Sequence, residues 1–183
     1  VRLERMIRPD TVIFTSIGEA HQENFTSLEE KSAEKLVLAK GARTIIYHGG
    51  SSLLERMIRT LYGGRQLQDA AEYPLPEQLP AGVLESGAGR VDAQLVGAFC
   101  RVMGFPDPDF GRIRPVAMRL ELKEGINGSL LIDDAYNSDI NSLSIALDYL
   151  HNMAAGRPMT LILSDIEQSG VEDGVLYGEV ARL

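Results

Sequence analysis

The sequence Leu130-Leu131-Ile132-Asp133-Asp134-Ala135-Tyr136-Asn137 joins an apolar run to two adjacent carboxylates, an aromatic ring and an amide. The apolar run predicts a buried strand, and a helix-like pattern follows it directly. Acids at the carboxyl end of such a strand lie where open α/β sheets bind ligands. Two buried carboxylates are costly unless a cation or a hydrogen-bond donor meets them. Asp is also a favoured helix N-cap, so the local sequence leaves a ligand-binding role and a capping role open.

A second segment with the same organisation occurs near the start of the chain. Residues 12–25 have the sequence Val-Ile-Phe-Thr-Ser-Ile-Gly-Glu-Ala-His-Gln-Glu-Asn-Phe, an apolar strand followed by small residues and a loop that carries His21. A helical pattern follows, and Ser27 with Glu30 three residues later fits a capping box at its start. A single loop histidine is usually a surface residue, so His21 gains significance only when the two segments are considered together.

Together the two segments resemble the Mur ligase family, the ATP-dependent amide-forming enzymes of bacterial cell-wall synthesis. Residues 15–21, Thr-Ser-Ile-Gly-Glu-Ala-His, are similar to the family's Thr-Asn-Ile-Gly-x-Ala-His, with Ser16 in place of Asn. Lys35 follows His21 at the interval where the family carries a lysine that becomes carbamylated. Residues 133–137 resemble the Asp-Asp-Ser-Tyr-Asn signature of the branch that adds D-alanyl-D-alanine to UDP-N-acetylmuramoyl-tripeptide.

The resemblance implies the domain organisation. It covers residues 10–48 and 115–183 and is weak between 50 and 85. It implies an α/β fold in which residues 1–112 are the back half of a central ATPase-like domain. Residues 113–183 would be the front half of a Rossmann-like C-terminal domain. The chain contains no Gly-x-x-x-x-Gly-Lys-Ser/Thr phosphate loop, which the family carries upstream of the matched region. We therefore expect a fragment of a larger ligase that does not catalyse ligation alone.

The resemblance also implies ligand contacts for particular residues. His21 would bind a magnesium ion together with Lys35, which carbamylation would convert into an anion. Asp134 would contact the ATP ribose, and Asn137 would lie close to the nucleotide. Arg119 would reach the ATP phosphates on domain closure, a role that suits the forked guanidinium. Without the resemblance, we would interpret Lys35 as a solvated lysine on a helix and Arg119 as an arginine on the surface of a strand.

Asp92 aligns with the asparagine that reads adenine in the family. Like Ser16, it departs from the family pattern and puts the corresponding contact in question. We expect domain closure about residues 105–115, where glycine and proline supply both hinge-like and stiff positions.

The coarse pattern along the chain predicts alternating strands and helices, which favours a parallel sheet. We predict strands at 12–16, 44–48, 116–122, 129–133 and 160–163, and helices at 28–40, 52–62, 91–103, 141–153 and from 175 onward. Residues 63–82, rich in Gly and Pro, are predicted to be an irregular connection. Residues 123–128 predict a hairpin with Asn-Gly at its turn.

Composition narrows the class of protein. The chain has 183 residues, of which 44% are hydrophobic, enough for a sizeable core. A net charge of −8 argues against nucleic acid or an anionic membrane as partner, but it leaves a local nucleotide site possible. The single cysteine, Cys100, excludes an internal disulfide framework and suits the cytoplasm. No signal peptide and no membrane span is predicted.

The implied cofactors are ATP and Mg²⁺. The implied partners are UDP-N-acetylmuramoyl-tripeptide, D-alanyl-D-alanine and the remaining ligase domains. The continuation Asn137-Ser138-Asp139 resembles ligases fused to an alanine racemase, which would hold pyridoxal phosphate outside this chain.

Two alternatives stay open at this point. One is another ligase of the same superfamily, such as a folylpolyglutamate or cyanophycin synthetase, although these differ at residues 133–137. The other is a non-catalytic module that serves as a scaffold for a fused racemase. Ser16, Asp92 and the missing phosphate loop support the second alternative.

Overall fold

The computed structural model describes residues 2–18, 22–77, 79, 87–105, 108–113, 118–167 and 169–183. The helices in these ranges are α1 (Arg2–Ile7), α2 (Leu28–Leu36), α3 (Ser52–Tyr62), α4 (Gly87–Val102), α5 (Ile140–Ala154) and α6 (Asp173–Val180). The strands are β1 (Thr11–Phe14), β2 (Thr44–Tyr47), β3 (Gln66–Asp69), β4 (Glu121–Glu124) and β5 (Leu130–Asp133).

The first three strands form a parallel sheet in the order β1-β2-β3. Every residue of β2 is buried, as expected for a central strand with both faces covered. Ile45 and Tyr47 pack in one core with Leu54 and Ile58 of α3. Ile46 points to the opposite face and packs in a second core, to which α4 contributes. The predicted parallel α/β sheet is confirmed.

The predicted irregular connection over residues 63–82 is wrong where β3 forms. The strand Gln66–Asp69 has a single apolar residue, Leu67, so no apolar run or alternation marks it in the sequence. It is a strand because its backbone pairs with the buried β2, Thr44 lying opposite Gln66. An edge strand can be polar, since one side of its ladder and much of its surface face water.

The start of α2 agrees with the predicted cap. Ser27 Oγ accepts a hydrogen bond from the Glu30 amide at 3.1 Å. The Glu30 carboxylate does not complete the box, because it accepts instead from the Thr26 amide at 2.8 Å and the Thr26 hydroxyl at 2.7 Å. These two bonds lower the pKa of Glu30. After Leu36 the helix tightens into the 3-10 turn Val37–Ala39.

The predicted hairpin with Asn-Gly at its turn is confirmed. β4 pairs antiparallel with β5, and both Asn127 (φ 56°) and Gly128 (φ 72°) adopt the left-handed backbone. The strand predicted at 116–122 is confirmed at Glu121 and Leu122, where β4 begins, and is wrong at residues 118–120. Met118 (φ 60°) and Leu120 (φ 46°) are left-handed, a backbone conformation that cannot continue a strand.

The predicted burial of β5 is also wrong. Leu130 is 39% exposed and Leu131 is 51% exposed. No strand forms at residues 160–163, where Ile162 is 91% exposed, so the predicted β-α-β unit is absent from the described residues. The physical reason is the lack of neighbours: among the described residues β5 pairs with β4 alone, and a two-stranded ribbon cannot cover both of its faces.

α5 follows the hairpin and begins at a well-formed cap. Asp139 and Ser142 form a reciprocal capping box, with the Ser142 amide donating to Asp139 Oδ1 at 3.0 Å. The helix packs on α6 and the loop before it through a small core that includes Leu143, Ile166 and Leu176. None of the helices in the described ranges is long and apolar enough to cross a membrane.

Candidate functional site

The two adjacent acids at the end of β5 have different environments. Asp133 Oδ2 accepts a hydrogen bond from Lys123 Nζ at 2.6 Å, and the same ammonium lies 3.1 Å from Glu121. The ion pair with Lys123 lowers the pKa of Asp133 and raises the pKa of Lys123. The charge of Asp133 is therefore compensated inside the hairpin.

Asp134 is compensated less completely. Its Oδ1 accepts a hydrogen bond from the Leu120 amide at 3.1 Å. Partial burial raises the pKa of Asp134, while the Leu120 hydrogen bond and the nearby charge of Arg119 act in the opposite direction. Of the two acids, Asp134 is thus the one whose carboxylate has the stronger tendency to bind a further hydrogen-bond donor, such as a hydroxyl group of a ligand.

Neither acid caps α5, because that role belongs to Asp139. The capping interpretation that the local sequence left open for residues 133 and 134 is therefore wrong. Asp133 Oδ1 instead accepts from the Ala135 amide at 3.3 Å and so helps to form the turn that follows β5.

Arg119 lies in a tight turn beside this acid rather than on a strand. Its guanidinium carbon is 4.4 Å from the centroid of the Tyr136 ring, a cation–π contact. The Tyr136 amide donates to the Met118 carbonyl at 3.3 Å, and Leu120 donates to Asp134, so the backbone on both sides of Arg119 is tied to residues 134–136. Both tied residues have left-handed backbones, a costly conformation that occurs preferentially at functional sites.

Tyr136 and Asn137 extend the same surface. The Tyr136 side chain is 68% exposed, and Asn137 is also exposed. The structure thus brings Arg119 and residues 134–137 together on one accessible face before α5. A guanidinium, an incompletely compensated carboxylate and an exposed amide provide complementary groups for phosphate, ribose hydroxyls and a base.

The second predicted group, at the exit of β1, is only partly described. His21 lies outside the described residues. Lys35 is exposed on α2. The lysine of this helix that contacts the β1 exit is Lys31, which is 3% exposed and donates from Nζ to the Gly18 carbonyl at 2.6 Å.

Sequence reasoning missed Lys31, although a signal for it exists. It lies three positions after Leu28, and Leu28, Ser32 and Leu36 are spaced four positions apart along the buried face of α2. A charged residue on the apolar face of an amphipathic helix is unusual and indicates a specific partner.

The described residues do not by themselves make a magnesium site. No three His, Cys, Asp or Glu side chains within the described ranges lie close enough together to hold a metal ion. The magnesium site predicted at His21 and carbamylated Lys35 therefore stays a prediction.

The carboxyl ends of β2 and β3 are occupied by groups that bind one another. Asp69 Oδ1 accepts from the Gly49 amide at 2.9 Å, and a Cβ at Gly49 would collide with that carboxylate. His48 Nε2 lies 3.1 Å from Gln94 Oε1, while Gln94 Nε2 donates to the Tyr73 carbonyl at 2.8 Å. The glycines after β2 therefore serve a close side-chain contact and do not form a phosphate loop.

Asp92 lies on the exposed side of α4. Although the residue is exposed, partial desolvation by the surrounding chain raises the pKa of its carboxyl. Among the described residues, no hydrogen bond or ion pair connects it to Asp134 or Arg119, so its adenine contact stays a prediction.

Comparison with known proteins gives one informative similarity. In an alignment of 191 positions, which includes gaps, the chain is 26% identical to the UDP-N-acetylmuramoyl-tripeptide–D-alanyl-D-alanine ligase of Bacillus subtilis (strain 168). The similarity covers 92% of this chain and 42% of that ligase, so the chain spans less than half the length of its relative. No protein-family profile matches the chain, and no solved structure gives a significant match. The similarity supports the resemblance to the Mur ligase family.

Proposed function

We propose that this chain is part of an ATP-dependent ligase of the Mur type. In the proposed reaction the complete protein joins D-alanyl-D-alanine to UDP-N-acetylmuramoyl-tripeptide, in the cytoplasm, as a step of peptidoglycan precursor synthesis. The observation that carries the proposal is the similarity along 92% of the chain to a ligase that bears those substrates in its name. The surface formed by Arg119 and residues 134–137 supplies groups that suit ATP.

The chemistry requires an activated carboxylate. ATP transfers its γ-phosphoryl group to the terminal carboxylate of the tripeptide, which gives an acyl phosphate and ADP. The amine of D-alanyl-D-alanine then attacks the acyl carbon, the amide bond forms, and phosphate leaves. Because negative charge spreads over the phosphoryl oxygens, such catalysis depends mainly on positioning and on positive charge.

The described residues have separate roles in this scheme. Asp134 accepts a hydrogen bond from a ribose hydroxyl, which replaces the hydration that its carboxylate loses on partial burial. Arg119 leaves the face of Tyr136 and binds the phosphates bidentately. Asn137 lies on the same surface and contacts the nucleotide, while Asp133 stays paired with Lys123 and holds the hairpin in shape.

His21 and carbamylated Lys35 would hold a magnesium ion, which supplies charge neutralisation on the phosphates when bound. The exposure of Lys35 supports this part of the proposal, because carbon dioxide can reach its amine. Asp92 would face the adenine base from α4.

The domain assignment also belongs to the proposal. We assign residues 1–112 to the central domain and residues 113–183 to the C-terminal domain, with closure about residues 105–115. Support comes from the two separate sheets, because β1, β2 and β3 lie within residues 1–112 and β4 and β5 lie within residues 113–183. A fused alanine racemase with pyridoxal phosphate would lie outside this chain.

The test is ATP-dependent phosphate release by the complete protein, with the tripeptide substrate, in the presence and absence of D-alanyl-D-alanine. Lys35→Ala, His21→Ala and Arg119→Ala are compared with Lys40→Ala, a change of an exposed lysine beyond the end of α2. We expect release to require both substrates, to fall by at least about 100-fold in the first three variants, and to persist in Lys40→Ala.

Two results would contradict the proposal. If the folded wild-type protein does not release phosphate, the non-catalytic scaffold becomes the better explanation, which the departures at Ser16 and Asp92 already favour. If it releases phosphate with a different acid and amine pair, such as a folate and glutamate, the protein belongs to another branch of the superfamily.

A further inference from the structure

Lys31 is a deeply buried charged residue in the described part of the chain, with an exposure of 3%. Lysine side chains normally keep the ammonium group in water, even when the stem is covered. Burial of an ammonium is costly unless hydrogen-bond acceptors replace its water. An apolar residue at position 31 would complete the buried face of α2 without that cost. The lysine therefore indicates a role for the charge itself.

One partner of Lys31 is a backbone carbonyl at the exit of β1. Nζ donates to the Gly18 oxygen at 2.6 Å, a short hydrogen bond from a charged donor. Such bonds are shorter and stronger than those between neutral groups. Gly18 is also the last described residue before His21, so this bond fixes the point from which the chain continues to the predicted metal ligand.

The same carbonyl lies where the two parts of the chain meet. Gly18 is adjacent to Asn141 in the first turn of α5, the helix that follows residues 134–137. Lys31 approaches Gly18 from the parallel-sheet part of the chain, and α5 approaches it from the hairpin part. A displacement of Gly18 would consequently change the spacing between the β1 exit and the surface that carries Asp134 and Arg119.

We infer that Lys31 is a positioning residue of the proposed ligase site: its buried ammonium holds the Gly18 backbone and thereby sets the spacing between the β1 exit and the start of α5. The inference rests on the proposed function for the reaction that this spacing serves. The two lysines of α2 then have different tasks. Lys31 remains an ammonium and fixes the backbone, whereas the exposed Lys35 is open to carbamylation.

The experiment uses the complete protein and two measurements. Hydrogen–deuterium exchange without substrates follows the peptide that contains residues 11–18. Steady-state phosphate release with both substrates gives kcat and the KM for ATP. The variants are Lys31→Met, which keeps the length and removes the charge, Lys31→Arg, which keeps a charged donor, and Lys40→Met as the matched control.

We expect Lys31→Met to speed exchange in residues 15–18 by about tenfold, as the loss of a charged hydrogen bond predicts. Its kcat should fall by at least about tenfold because the site is misaligned, while the KM for ATP changes less. Lys31→Arg should recover most of both properties, and Lys40→Met should behave like the wild type.

Unchanged exchange and unchanged kcat in Lys31→Met would overturn the inference, and so would equal losses in the Met and Arg variants. If Lys31→Met does not fold, Lys31→Gln against Lys31→Arg makes the same comparison of a neutral with a charged donor. A wild-type protein without turnover would reject the proposed function, and the exchange measurement would still decide whether Lys31 fixes Gly18.

Discussion

The central strand β2 and the hairpin strand β5 are both apolar in sequence but differ in how far they are buried. All four residues of β2 are buried, whereas Leu130 and Leu131 of β5 are 39% and 51% exposed. β2 has a strand on each side and helices over both faces, while β5 has one partner strand in the part of the chain that the structure describes. Apolar composition predicts a strand in both places, but neighbouring elements decide whether that strand is buried.

The largest expected effect on stability comes from a substitution in the buried strand β2. Ile45→Ala removes a fully buried side chain from β2 and should lower the free energy of unfolding by about 2–5 kcal/mol. Leu131→Ala removes a side chain that is 51% exposed and should lower it by less than about 1 kcal/mol. Urea unfolding of the 183-residue chain measures both. If both variants lost a similar free energy of unfolding, β5 would have to be buried to the same extent as β2.

Gly97→Ala tests how tightly the second face of the parallel sheet is packed. Alanine favours a helix interior over glycine by about 1 kcal/mol, so a surface position would gain stability. At Gly97, however, a Cβ would overlap the ring of Tyr73, which is 8% exposed and cannot move into water easily. We expect a net loss of about 1–3 kcal/mol in urea unfolding. Gly64→Ala, with no atom within 4 Å of its Cβ, is the control.

Ser32→Ala, a change in α2, should act in the opposite direction. Ser32 is 1% exposed, and its hydroxyl has no hydrogen-bond partner among the described residues. Removing an unsatisfied buried hydroxyl should raise the free energy of unfolding by about 1 kcal/mol. Ser52→Ala at the exposed start of α3 should change it by less than about 0.5 kcal/mol. A loss of stability in Ser32→Ala would mean that the hydroxyl has a partner after all.

The smallest expected effects concern the two acids of the hairpin. The pKa of Asp133 is lowered by Lys123, so its contribution to stability is present above the unfolded-state pKa and is lost as the pH falls through the folded-state pKa. The pKa of Asp134 is raised by burial, so its charge costs stability at neutral pH, and this cost disappears as the pH falls.

Asp133→Asn should therefore destabilise the hairpin slightly at neutral pH, and Asp134→Asn should stabilise it slightly. The Asp134→Asn difference should shrink as the pH falls towards 4, whereas the Asp133→Asn difference should persist at pH 4 and shrink only at lower pH, because the folded-state pKa of Asp133 is lowered. Hydrogen–deuterium exchange of β4 and β5 between pH 7 and pH 4 measures the two variants side by side, once the intrinsic exchange rate is corrected for pH. The same sign for both variants at neutral pH would contradict the assignment of different roles to adjacent acids.

Much of the fold could be predicted because local signals and tertiary surroundings agree in the first part of the chain. The helix predicted at 52–62 is observed as α3, and Ser27 caps α2 as expected. β3 could not be predicted, since its polar residues become a strand only through pairing with β2. The absence of a strand at residues 160–163 could not be predicted either, because the apolar run Leu161–Leu163 matches a strand that finds no partner among the described residues.

The candidate site was predictable as chemistry but not as geometry. The motif at residues 133–137 identified the acids, yet nothing in it separates the roles of Asp133 and Asp134. That separation depends on Lys123, which lies across the hairpin and reaches Asp133 only in the folded structure. Arg119 stays a predicted site residue, and its left-handed flanking residues and its contact with Tyr136 are seen only in the tertiary structure.

Isotope transfer by the complete protein tests the proposed ligase chemistry most directly. The tripeptide substrate is labelled with ¹⁸O in its terminal carboxylate, and the phosphate released with ATP and D-alanyl-D-alanine is analysed by mass spectrometry. When the amine displaces phosphate from the acyl phosphate, one oxygen of the original carboxylate stays on phosphorus. We therefore expect one ¹⁸O atom in each phosphate released, and one phosphate released for each amide bond formed. Unlabelled phosphate, or no phosphate from the folded protein, would contradict the proposed reaction.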